Sequence, residues 1–215
     1  MKKIILLGDS IRMGYDKYVK MALEGEAEVF SPTENCRFTQ YMLRFLHKWV
    51  ADSGFGKDTD LVHFNVGLWD VIQIMYDEPI TPIDVYEQYL HRICKRIREC
   101  CPKAKVIFAT STPIHQANYE SVKHEFWRSN ETIKAYNAVA VKVMKEHGIE
   151  VNDLYALMEG APDHYFSDRT HYYTKDGTRL LTEQVLATIE NTLGIKGKQL
   201  DYDMLFTKAN NVEGM

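Results

Sequence analysis

The feature that most constrains this chain is an alternation. Short apolar or β-branched runs, each closed by turn residues, are separated by stretches with helical spacing. Residues 4–7, 27–30, 61–66, 105–109 and 150–152 read as strands. Residues 86–101 carry Tyr89, Leu90, Ile93, Cys94 and Ile97 on one helical face and stop before Pro102. Residues 131–147 repeat that logic and end at Gly148, and a last helix over 175–193 has Thr174 as its N-cap and Gly194 just beyond its end. A further helix is expected after Gly14. Strands separated by helices need crossover connections, so the pattern predicts one α/β layered domain over residues 1–195 with about five mainly parallel strands. Residues 113–130 are aromatic, polar and irregular, and read as a long loop of the kind that carries function. The tail, 196–215, holds only a small apolar cluster around Met204 and Phe206 and is expected to pack loosely or against another subunit, a route to a homo-oligomer.

Composition narrows the partners. The 215 residues carry 26 basic and 30 acidic side chains, a net charge of −4, which offers no electrostatic reason to bind nucleic acid or an anionic membrane. The N-terminal apolar run ends at Gly8 and is too short for a signal peptide, and no stretch approaches the roughly 18 apolar residues of a spanning helix, so a cytoplasmic protein is expected. Cys36, Cys94, Cys100 and Cys101 form no C-x-x-C pair and read as reduced thiols. His115, His124 and His164 lack metal-ligand spacing, so no metal is expected. Arg92, Lys95, Arg96, Arg98, Lys103 and Lys105 read as a solvated face. Tyr119, Phe126 and Trp127 suit either core packing or stacking on a sugar ring.

Chemistry appears at the two ends of the chain. The first strand closes on Gly8-Asp9-Ser10, and in an open α/β sheet ligands sit beyond the carboxyl ends of the strands. Asp168-Arg169-Thr170-His171 precedes the last helix. An Asp three residues before a His in a turn can fix the imidazole tautomer and free the other nitrogen as a base, which a serine hydroxyl needs before it is a useful nucleophile. Ser10, His171 and Asp168 fill those roles if the fold joins the chain ends.

These blocks, with Asn65-Val66-Gly67-Leu68-Trp69-Asp70 after the third strand, make the sequence resemble the SGNH or GDSL-type hydrolases over roughly residues 3–194. The resemblance implies a flavodoxin-like three-layer α/β/α sandwich and a serine esterase without a cofactor. Ser10 would be the nucleophile, His171 the base and Asp168 its partner. Asp9, Gly67 and Trp69 would then contact the substrate. Two positions depart from the pattern. The family's G-x-N-D block has Trp69 where the oxyanion-binding Asn stands, so Asn65, ranked ahead of the Trp69 indole, is the expected replacement donor. Arg37 takes the place of the glycine whose backbone N–H points at the oxyanion, and the Ser10 N–H completes that set. The implied reaction is hydrolysis of a small-molecule carboxylic ester, a short acyl group such as acetyl on a carbohydrate or other polar alcohol. The loss of the Asn keeps a rival open, a catalytically weakened binding or structural module on the same fold. A flavin or nucleotide binder is poorer, because the loop after Ser10 has one glycine and no G-x-G-x-x-G.

Overall fold

The computed structural model describes residues 1–75, 77–120 and 125–212, with side chains through residue 207. In chain order the elements are β1 (Lys2–Leu7), α1 (Ser10–Ala22), β2 (Ala27–Phe30), α2 (Thr39–Asp52), β3 (Leu61–Asn65), β4 (Gln73–Ile74), α3 (Ile83–Cys100), β5 (Lys105–Ala109), α4 (Gln116–Glu120), β6 (Phe126–Trp127), α5 (Asn130–Glu146), β7 (Glu150–Asn152), α6 (Leu154–Met158), α7 (Lys175–Leu193) and α8 (Tyr202–Val212). The main sheet has five strands in the order β2-β1-β3-β5-β7, every pair parallel. Helix α1 packs against α7, and α3 packs against both α2 and α5. These are the two helical layers of a flavodoxin-like α/β/α sandwich, as the alternation predicts. Strand β3 is buried along its whole length, as expected of a parallel strand covered on both faces. The strand order reverses beside β1, so the crevice past the ends of β1 and β3 is the topological switch point where such sheets bind ligands.

Three differences from the sequence reading have physical causes. Helix α2 has a continuous apolar face (Met42, Leu43, Leu46, Trp49, Val50) that the search for strands passed over. The 113–130 excursion holds α4 and β6, and β6 pairs antiparallel with β4 in a two-stranded ribbon, a long-range pairing with no local signature. The tail packs on its own chain, with Phe206 stacked on Tyr18 at 5.9 Å and Tyr202 beside the same ring. Cys36, Cys94 and Cys101 are buried free thiols and Cys100 is half-buried and free, in line with their reading. Of the basic set on and after α3, Arg96 is half-buried and the rest are exposed. Among the described residues no helix is long and apolar enough to cross a membrane.

One core residue predicts a pH effect. His63 in β3 is fully buried; its Nε2 faces the Asn152 amide at 3.4 Å, Nδ1 has no partner among the described residues, and burial pushes its pKa down to about 4. The unfolded chain therefore binds a proton between about pH 6.5 and pH 4 that the native state refuses, and stability falls as pH drops through that window. The buried carboxylate of Asp70, pushed up to about 6 by burial, works in the opposite direction and masks part of the effect in the native protein. The contrast with a variant isolates it. Between pH 7 and pH 4, His63→Leu is expected to lose about 3 kcal/mol less unfolding free energy than the native sequence, measured by urea titration at each pH. Equal losses would show that His63 protonates freely in the folded state.

Candidate active site

The site is assembled from three loops at the switch point. Asp9 closes β1 and caps α1, its Oδ1 accepting from the Ile11 N–H at 2.9 Å. Ser10 is thereby the first residue of the helix, where the backbone N–H has no intrahelical acceptor and the helix dipole favours negative charge. Gly8 is required by close approach: a Cβ there would lie 2.0 Å from Asn65 Oδ1. Asn65 at the end of β3 in turn donates to Asp9 Oδ1 at 2.9 Å.

The last loop brings the other motif across. Asp168 Oδ1 accepts from the Thr170 and His171 N–H groups at 2.7 and 2.9 Å, and Oδ2 lies 2.7 Å from His171 Nδ1. Partial burial works against the Asp168 charge, but those two amides and the imidazole together hold its carboxyl below the usual range. A carboxylate only accepts, so Nδ1 carries the proton and Nε2 is the acceptor, 2.7 Å from Ser10 Oγ. Tyr173 secures the arrangement: its ring stacks on His171 with centroids 4.8 Å apart and its hydroxyl donates to the Ser10 carbonyl at 2.7 Å. Gly14 makes room for that ring, since a Cβ there would lie 2.7 Å from it. The loop pairs Ser10, His171 and Asp168 as their motifs predict; Tyr173 and the service of Gly14 to it carry no motif.

Beside the triad opens a cleft of about 600 Å³, lined by Ser10, His171 and Asp168 together with Trp69, Ile72, Asn118, Tyr119, Phe126, Arg128, Arg169 and Thr170. Trp69 is therefore part of the cleft wall. Asp9 and Gly67 do not line the cleft: Asp9 is fully buried as a helix cap, its carboxyl raised by burial that the bonds from Asn65 and Ile11 only partly offset, and Gly67 is packed at φ 143° beside Tyr86 and Ser111. Neither position is part of the cleft wall, in contrast to the contact with substrate expected of them. Asn65 is also buried and absent from the cleft wall, whereas among the described residues the Trp69 indole N–H has no protein acceptor. Arg37 occupies the left-handed region at φ 52°, which suits the glycine expected there, but its N–H is held by Asn35 Oδ1 at 2.7 Å and its exposed guanidinium lies over Tyr41. Tyr119 is core and cleft wall at once, and Phe126 is exposed at the cleft rim. Among the described residues no cluster of His, Cys, Asp or Glu could hold a metal; His124 lies outside them.

A second residue without a motif that supports the site is Arg12. It is buried in α1, ion-paired with Asp16, and its guanidinium donates to the carbonyls of Pro32 at 2.8 Å and Glu34 at 2.7 Å. It ties the 32–37 loop to the helix that carries Ser10. Thr39, just after that loop, is held in turn by Asp70, which accepts its hydroxyl at 2.6 Å and its N–H at 3.1 Å.

Fold and site together define a three-layer α/β protein with a Ser–His–Asp array past the carboxyl ends of its strands. Residues 6–179 match the model of the GDSL-like lipase/acylhydrolase family, and the chain belongs to that family. Among curated proteins it is similar to the GDSL esterase/lipase WDL1 of Oryza sativa subsp. japonica, 25% identical over 119 residues that make up 52% of this chain and 45% of that one. GDSL esterase/lipase CPRD49 of Arabidopsis thaliana is 24% identical over 119 residues, 52% of this chain and 46% of that protein. The matched stretch thus spans about half the length of these curated relatives. In solved structures the fold is shared with a lipase/acylhydrolase from Enterococcus faecalis, TM-score 0.69 at 24% identity over 93% of this chain and 100% of that one. It is shared too with the acetyl xylan esterase AlAXEase, TM-score 0.65 at 17% identity over 87% and 99% of the two chains.

Proposed function

We propose that the chain hydrolyses a carboxylic ester of a short acyl group, acetyl among them, and a polar alcohol, by serine acyl transfer without a cofactor. The observation that carries this reading is the unbroken line of 2.7 Å contacts from Asp168 Oδ2 to His171 Nδ1 and from Nε2 to Ser10 Oγ, opening on a cleft. Ser10 Oγ passes its proton to His171 Nε2 as it bonds to the carbonyl carbon, and the carbonyl oxygen becomes an oxyanion. Collapse breaks the bond to the alcohol oxygen, which takes the proton from Nε2 and leaves. A water then repeats the step on the acyl-serine, releasing the carboxylic acid and restoring Ser10. Asp168 stabilises the imidazolium in between. The cleft has aromatic walls at Trp69, Tyr119 and Phe126, which suit a ring-bearing alcohol, and a short acyl group is favoured because no long apolar segment is among the described residues that line it. Turnover of p-nitrophenyl acetate together with covalent labelling by a fluorophosphonate tests the reading. Neither signal from folded protein would favour a binding module.

For the oxyanion, the Ser10 N–H at the start of α1 is the first donor. The remaining candidates are the Trp69 indole, the Asn65 amide and the Arg37 N–H. The structure favours the indole, reversing the order expected from side-chain size, because Asn65 and Arg37 already bond within the protein. Trp69→Phe keeps a ring and removes only the N–H, and is expected to lower kcat about 10–100-fold with KM nearly unchanged, the pattern of a contact made only in the transition state. A larger kcat loss in Asn65→Ala, with its fold intact by circular dichroism, would return the role to Asn65.

A further inference from the structure

The cleft wall contains a positive charge that has no ion-paired carboxylate among the described residues and that ester hydrolysis does not call for. Arg128 is only 8% exposed, yet its bonds are to neutral groups: Nε donates to the Leu68 carbonyl at 2.7 Å and Nη1 to the Tyr119 hydroxyl at 2.8 Å. Nη2 has no protein acceptor among the described residues, and Arg128 lines the same cleft as Ser10 and His171. Arg169 lines it too, its guanidinium 4.7 Å from the centroid of the Tyr119 ring. Among the described residues neither arginine has a carboxylate within ion-pair distance. The buried carboxylate of Asp9 feels the Arg128 charge without bonding to it, and Asp168 is bound to His171 and to two amides. A buried guanidinium without a counter-charge is costly, and one whose free N–H groups reach a cleft recovers that cost when an anion enters. Paired guanidinium groups are also the side chains best shaped to hold a carboxylate or phosphate.

We infer that Arg128 and Arg169 form an anion subsite beside the triad, and that the preferred substrate is an ester whose alcohol part carries a carboxylate or phosphate. The charge falls on the alcohol because this inference rests on the short-acyl reading above, which leaves no room for it on the acyl side. The aromatic walls would hold the alcohol's ring while the arginines take its anionic substituent.

The test pairs 4-acetoxybenzoate with its neutral methyl ester, two acetyl esters that differ in one charge. The native protein is expected to favour the anionic ester at least about tenfold in kcat/KM, and Arg169→Gln to reduce that preference about tenfold. Arg128→Gln should do the same; if it does not fold, Arg169→Gln decides alone, since that side chain is only half-buried. No preference in the native protein, an unchanged preference in Arg169→Gln, or equal losses on both esters would overturn the anion subsite, the last placing the charge on the oxyanion instead. Binding without chemistry separates the two readings: 4-acetoxybenzoate should quench tryptophan fluorescence in Ser10→Ala far more than its methyl ester does. If neither ester is hydrolysed but this selective quenching remains, the esterase reading fails and the subsite stands. Hydrolysis with no selective quenching leaves the esterase and removes the subsite. 4-Acetoxyphenyl phosphate in place of the benzoate tells which anion is preferred.

Discussion

Ser10→Ala is expected to abolish ester hydrolysis, lowering kcat by at least about 10³-fold, and to abolish fluorophosphonate labelling altogether. Ser10 is half-buried at the first position of α1, and among the described residues the only side-chain hydrogen bond of its hydroxyl is to His171. Alanine fits that position without strain, so the melting temperature should move little and any loss of rate reads as lost chemistry. Labelling that persists in the variant would remove Ser10 as the nucleophile. His171→Ala should fall in kcat by a similar factor, and the double variant should be scarcely worse than either alone, because a nucleophile and its base act as one unit. Additive losses would mean that the 2.7 Å contact between them has no part in catalysis.

The second large effect is on stability. Arg12→Met is expected to cost about 3–5 kcal/mol of unfolding free energy, the range for removing one partner of a buried ion pair, because it strands Asp16 together with the carbonyls of Pro32 and Glu34. Arg12→Lys should rescue little of it. An ammonium is a point charge and cannot reach acceptors on the helix and on two residues of the loop as a planar guanidinium does. Guanidinium chloride titration reads both variants, and a loss under about 1 kcal/mol in Arg12→Met would show that the 32–37 loop holds its place without this tie.

The layered α/β architecture was legible because it is written in local periodicity. β2, β5 and β7 lie where their apolar runs predict, and α7 starts after Thr174 and stops at Gly194 because capping is a property of a few adjacent residues. The Ser10–His171–Asp168 array was legible for a similar reason. Asp168 and His171 are three apart in one turn, and Ser10 follows directly on a strand, so each half needs only its own neighbourhood and the strand-end rule supplies the meeting point.

What the sequence could not rank was the use of polar groups whose partners lie far along the chain. Asn65 and Asp9 look like residues free to meet a substrate until the fold sets them against each other, 56 positions apart. Arg12 carries the same uninformative charge as any surface arginine until β2 returns beside α1 and brings carbonyls to it. Arg128 becomes a cleft residue only because α4 and the β4–β6 ribbon seat it against the Leu68 carbonyl, 60 positions away. Local pattern determines which backbone forms. Tertiary packing decides which polar groups are consumed in holding it together and which remain unpaired for chemistry, since a buried donor or acceptor must find a partner wherever the chain happens to bring one.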